Sequence, residues 1–184
     1  MTEAEFWDHI RATRRVDPEA HAERLTARLA KLPVPAILDF DRRWDAAMAE
    51  SYRWDLWGAA YLINGGCSDD GFDYFRGWLI LRGRDTFKAA VADPDSLADV
   101  VDPDEDDDVY EWEGRPAWAA WFRATRTKPD EAGYAALLAA LAARHPRPVR
   151  RRGMGRGWDF DDDAQMRRRL PRLAALYLGG DDSE

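Results

Sequence analysis

Apolar side chains recur along this chain at three- and four-residue spacing between sharp stop signals, and no stretch alternates apolar and polar with a period of two. Such a pattern builds helices and leaves nothing to make a sheet from, so the predicted fold class is all-α. Thr2-Glu3-Ala4-Glu5 is a capping-box sequence, and Phe6, Trp7 and Ile10 follow it in a helix ending near Arg14. Asp17-Pro18 opens a second helix, with Leu25, Leu29 and Leu32 on one face, and Pro33 and Pro35 stop it. Ile37, Phe40, Trp44, Ala47 and Met48 carry a third from Ala36 to about Ser51, and Tyr52 to Ile63 forms a fourth with Trp54, Trp57 and Tyr61. Asn64-Gly65-Gly66 closes that helix. Ser68 and Asp69 open the next, with Phe72, Phe75 and Leu79 on one face and Gly83 as its end.

A short piece from Arg84 to Val91 precedes an acidic stretch, and Pro116 to about Arg126 is helical around Trp118, Trp121 and Phe122. The Ala-rich segment from Asp130 to Arg144 has high helix propensity, with Tyr134, Leu137, Leu138 and Leu141 as its expected buried stripe. Asp162 and Gln165 cap a last helix, with Met166, Leu170, Leu173, Leu176 and Tyr177 inward. Pro171 makes it kink or restart. The expected architecture is a single compact domain over residues 1–184 with seven to nine helices, an acidic loop at 93–113 and a basic loop at 144–157.

Charge is distributed more tellingly than its total of −8. Residues 93–113 hold eight Asp and three Glu with no Lys or Arg, and residues 114–156 hold ten basic and two acidic side chains. The plain reading is a flexible acidic loop beside an Arg-rich surface; the alternative is that the two blocks fold back on each other. No apolar run spans a bilayer, the first residues lack a signal-peptide pattern, and one Cys rules out an internal disulfide framework. A cytoplasmic protein with no membrane partner is expected. Arg144, Arg147, Arg150, Arg151, Arg152 and Arg156 form a basic patch, but the chain is acidic and no helix combines basic and base-reading residues, which disfavours nucleic acid.

Chemistry concentrates between Trp54 and Trp78. Cys67 precedes a helix start, where amide dipoles favour thiolate, yet Asp69 and Asp70 oppose it, and packing in a tight turn is the simpler role. Asn64-Gly65-Gly66 matches no phosphate-binding pattern and follows no strand. Asp69, Asp70 and Asp73 with Arg76 read either as helix-end charges plus a surface ion pair, or as a carboxylate pocket for a cation walled by Trp54, Trp57, Tyr74 or Trp78. Asp102 to Glu113 imitates a calcium loop but has Asp107 where the sharp turn demands Gly, and Pro103 at its second position. Trp158-Asp159-Phe160-Asp161-Asp162-Asp163 places an aromatic anchor before the last cap.

Phe40-Asp41-Arg42-Arg43-Trp44, the segment Trp54 to Trp78, and Trp158 to Leu178 resemble a bacterial family known as domain of unknown function 4240. The resemblance covers about residues 2–92 and again 157–178, leaving 93–156 unmatched. It implies small soluble bacterial proteins and assigns no catalytic residue.

The leading reading is a binding or regulatory module without catalysis or cofactor. Its ligand-binding residues would be Trp54, Tyr61, Asp69, Asp70, Tyr74, Arg76, Trp158 and Asp159, and its occupant a protein segment or a small cationic ligand. The alternative is an enzyme, with Cys67 as nucleophile or with Asp69, Asp70, Asp73 and Asp159 gathering a hard metal.

Overall fold

A computed structural model describes residues 1–105, 110–149 and 153–179, and every regular element among them is helical. There are ten α-helices and one 3₁₀ helix among the described residues, more than the seven to nine expected. Two features account for the excess. Pro171 splits the last helix outright instead of kinking it, because Leu170 leaves the helical conformation, at φ −132° and ψ 58°, and Pro171 then begins a new helix. Within the acidic stretch, Pro94–Asp99 winds into a 3₁₀ helix where a loop was expected.

The described residues group into two compact units. The first comprises residues 1–49 and 114–150. Its helices are α1 (Glu3–Thr13), α2 (Pro18–Leu29), α3 (Val34–Glu50, whose last residue falls in the second unit), α7 (Pro116–Thr125) and α8 (Glu131–Arg144). The capping box at Thr2 and Glu5 forms as the sequence predicts. Pro35 lies inside the first turn of α3, where a missing amide costs nothing. Phe6, Ile10, Leu25, Leu29, Ile37 and Phe40 are fully enclosed, with Phe6 and Phe40 rings 4.7 Å apart. Three basic side chains of this unit answer its own acids. Arg115 donates to Asp41 at 2.9 Å and to Asp45 at 2.6 Å, Arg123 grips Glu23, and Arg144 grips Asp39. Burial pushes the Asp41 carboxyl up, against the pull of Arg115. Arg144, chiefly, holds Asp39 down at about 2. Arg150, Arg151 and Arg152 of the expected basic patch lie outside the described residues.

The second unit comprises residues 50–113 and 151–184. It contains α4 (Trp54–Ile63), α5 (Asp69–Leu81), α6 (Arg84–Ala92), the 3₁₀ helix Pro94–Asp99, α9 (Asp163–Arg169) and α10 (Pro171–Tyr177). Gly83, at φ 99°, turns the chain between α5 and α6 in a conformation that disfavours side chains. The acidic stretch is anchored at both ends. Leu97, Tyr110 and Trp112 are buried, and buried Asp95 accepts hydrogen bonds from the amides of Arg172 and Leu173 at 3.0 Å, so it satisfies the exposed donors at the start of α10. Asp99 pairs with the Arg172 guanidinium. Residues 106–109, central to the calcium-loop comparison, lie outside the described residues.

Six of the nine tryptophans, Trp7, Trp44, Trp78, Trp112, Trp121 and Trp158, are buried. Trp78, considered as a pocket wall, is therefore a core residue. The expected inward stripe of α8 is only partly inward: Leu137 is buried, but Tyr134 is 41% and Leu138 53% exposed. On α10, Leu173 is buried and Leu176 is exposed. Among the described residues no helix is long and apolar enough to cross a membrane.

Candidate functional site: an acidic pocket with aromatic walls

The start of α5 and the chain leading into α4 create a concavity in the second unit. Ser68 caps α5 by accepting a hydrogen bond from the Gly71 amide at 3.0 Å. Because the cap is Ser68, the Asp69 and Asp70 carboxylates of the first turn are not used as caps. Both are exposed, and among the described residues neither makes a hydrogen bond or ion pair. Negative charge there is favoured by the helix dipole, which lowers the cost of keeping two carboxylates side by side. One turn on, Asp73 pairs with Arg76.

These three carboxylates, with Tyr52, Trp57 and Phe72, line a cavity of about 150 Å³. The aromatic part is rigidly held. Trp57 and Phe72 rings stack at 5.1 Å with only 4° between their planes. The Trp57 indole N–H donates to the Cys67 carbonyl at 2.9 Å, which fixes the ring. Arg76 is not the surface residue that its spacing from Asp73 suggests: it is 1% exposed, with its guanidinium 4.7 Å from the Phe72 ring and 5.0 Å from the Tyr52 ring. It neutralises Asp73 and stiffens the aromatic wall from behind, and Asp69 and Asp70 stay uncompensated.

The other residues named from sequence go elsewhere. Trp54, Tyr61 and Trp158 belong to a second aromatic cluster centred on Phe160, whose ring lies 5.1 Å from Trp54, 5.4 Å from Tyr61 and 4.8 Å from Trp158. This cluster docks residues 154–161 onto α4. The Trp54 amide and indole N–H donate to the carbonyls of Met154 and Trp158, and the Trp158 indole N–H donates to Asp55 at 2.7 Å. Gly58 makes room for it, since a Cβ there would sit 2.4 Å from the Trp158 ring. Tyr61 donates to Asp161, and that hydrogen bond, first among several causes, pushes its phenol pKa up. Asp159 is exposed and accepts from the Asp161 amide in a local turn. Tyr74 is half-buried on α5, its carbonyl accepts from the Trp112 amide at 3.2 Å, and Glu113 leads the nearby acids that push its phenol up. Two pocket residues escaped the sequence reading of this site, Tyr52 and Phe72. Phe72 was assigned to the core stripe, and a signal for its second role lay in its position one turn after Asp69.

Burial, then the nearby Glu111 carboxylate, pushes the Cys67 thiol up to about 12, which favours its protonated form at neutral pH. Glu111 also accepts a hydrogen bond from the Asn64 side chain at 3.1 Å, while the Gly66 amide is committed to the Tyr61 carbonyl. The Asn64-Gly65-Gly66 turn therefore holds an internal anion and is no phosphate cradle. Asp69, Asp70, Asp73 and Asp159 do not converge, and among the described residues no three His, Cys, Asp or Glu side chains gather closely enough to hold a metal ion.

No curated protein and no solved structure matches the chain. A family model does, and it runs through the acidic stretch that the sequence resemblance left unmatched, while stopping short of residues 157–178. On that match, over residues 1–121, the chain belongs to the family described as protein of unknown function (DUF4240).

Proposed function

We propose that this protein is a binding module whose pocket takes the cationic head of a Lys or Arg side chain presented by a protein segment. The observation that carries this reading is the coincidence of two uncompensated carboxylates, Asp69 and Asp70, with the half-buried Trp57 indole around one cavity of about 150 Å³. Carboxylate and aromatic face recognise the same ligand class, because both present negative potential. Size selects within that class. Pockets for cofactors and drug-sized ligands run to roughly 300–1,000 Å³, and a cavity of about 150 Å³ holds something closer to benzene. An ammonium or guanidinium on a short stem fits; a nucleotide does not.

Energetics favour a tethered head group over a free amine. Exposed ion pairs contribute about 0–1 kcal/mol each, and a cation over an indole about 0.5–2 kcal/mol. Their sum of about 0.5–4 kcal/mol corresponds to dissociation constants of about a millimolar at best. A protein segment adds backbone and flanking contacts that a lone amine lacks, so it makes the better partner.

Thermal unfolding in butylammonium chloride against matched sodium chloride tests the pocket, and Lys- and Arg-containing peptides test the partner class. Occupancy at thirty times Kd adds about 2 kcal/mol, which raises Tm by about 4–8 °C at this size. The increment should vanish in Asp69→Asn/Asp70→Asn. An increment that persists in that variant, or none at all, refutes the proposal.

A further inference from the structure

Helix α8 (Glu131–Arg144) is fourteen residues long, and its interior, Ala132 to Ala143, contains no charged side chain. A helix apolar on every side is normally enclosed. Here only Gly133 and Leu137 are buried, while Tyr134 and Leu138 are 41% and 53% exposed and Ala135, Ala139 and Ala142 stand open beside them. Gly133 lets the helix begin tight against its own lead-in loop, since a Cβ there would lie 1.9 Å from the Lys128 carbonyl oxygen. The exposed face also lies beyond residues 1–121, outside the part of the chain that defines the family.

The charges at its ends indicate what covers it. Asp130 caps the helix through the Gly133 amide, and Arg144 and His145 face Asp39, which leaves Glu131 at the start and Arg147 past the finish. Glu131 is exposed and has no ion pair among the described residues, and Arg147 is exposed beyond the helix end. A second α8 laid antiparallel and crossing at Leu138 sets Tyr134 opposite Ala142 and brings Glu131 towards Arg147 of its partner. The same contacts then form twice about a two-fold axis, and the helix dipoles oppose. Alanines on the facing surfaces permit the close axial separation of about 8 Å found between tightly packed helices.

We propose that two copies of this chain pair through α8 in this antiparallel arrangement. The helix is about 21 Å long, and one helix pair falls short of the roughly 800 Å² per partner of a standard interface. The dimer is accordingly a weak, transient one. It requires nothing of the Asp69–Asp73 pocket, and either proposal stands without the other.

Sedimentation velocity of the full chain from about 5 to 500 μM is the test. Wild type should shift from monomer to dimer with concentration. Leu138→Glu, a substitution at an exposed position, should weaken association by about tenfold or more, because it places two like charges at the crossing point. Glu131→Arg and Arg147→Glu should each weaken it, and combining them should restore it, since the pairing is reconstituted with reversed sign; circular dichroism verifies that each variant is folded. Wild type that stays monomeric to 500 μM overturns the proposal, as does a dimer indifferent to Leu138→Glu or a charge-swapped double variant no better than the singles.

Discussion

Single residues set the two sharpest constraints on this protein. Gly58 lies in the middle of α4, where Gly→Ala ordinarily stabilises a helix by up to about 1 kcal/mol. Here the added methyl meets the Trp158 ring, and overpacking of that kind costs about 1–3 kcal/mol. Gly58→Ala should therefore cost a net of about 0–3 kcal/mol and lower Tm by up to about 12 °C, with altered tryptophan fluorescence; a raised Tm would mean that Trp158 does not occupy the slot. Cys67 makes a second prediction. Its thiol titrates near 12 in the folded protein against 9.0 when unperturbed, so folding favours the protonated form. The resulting stability is present below about pH 9 and is lost as the pH rises towards 12. Disulfide-exchange labelling at pH 8 should be slow in the native protein and fast once it is unfolded, and prompt native labelling would contradict the protonated thiol.

Among the elements, the acidic stretch repays comparison with its sequence. Its composition announces charge and nothing about anchorage, yet Asp95 is as much a core residue as Leu97. It spans more than seventy positions to cap α10, which begins with Pro171 and has no side-chain cap from its own preceding residue. Asp95→Ala should cost about 2–3 kcal/mol, the scale of hydrogen bonds to a charged acceptor, and an unchanged denaturation midpoint would remove the cap. No local pattern reveals such a pair, because the donors are backbone amides that every residue possesses. Helices α1, α2 and α5, by contrast, were legible from Thr2, Asp17 and Ser68, since capping is decided within four residues. The faces of α8 were misjudged for a related reason. Periodicity identifies Tyr134, Leu137, Leu138 and Leu141 as apolar, but packing against the rest of the unit decides which faces inward, and of the four Leu137 alone is buried.

Across the molecule, basic and acidic blocks adjacent in sequence serve different local purposes: Arg115, Arg123 and Arg144 neutralise acids of α2 and α3, while Asp95 and Asp99 hold α10. The pocket was half legible. Asp69, Asp70 and Asp73 are set by the helix start, and Trp57 was weighed among the candidate walls. Tyr52 and Phe72 were not assigned to it, and Trp54, Tyr61 and Trp158 close a different cluster because Phe160 draws them together. What remains after those internal pairings is charge without a partner at Asp69 and Asp70, beside aromatic faces held in place by Arg76 and the Cys67 carbonyl. The most direct measurement is an NMR titration of the tryptophan indole N–H signals with butylammonium or a Lys-containing peptide at constant ionic strength. The Trp57 signal should move saturably, with those of Trp44 and Trp121 unmoved, and the movement should disappear in Asp69→Asn/Asp70→Asn. A Trp57 signal that stays fixed, or that moves equally in the variant, would contradict a cation-binding pocket.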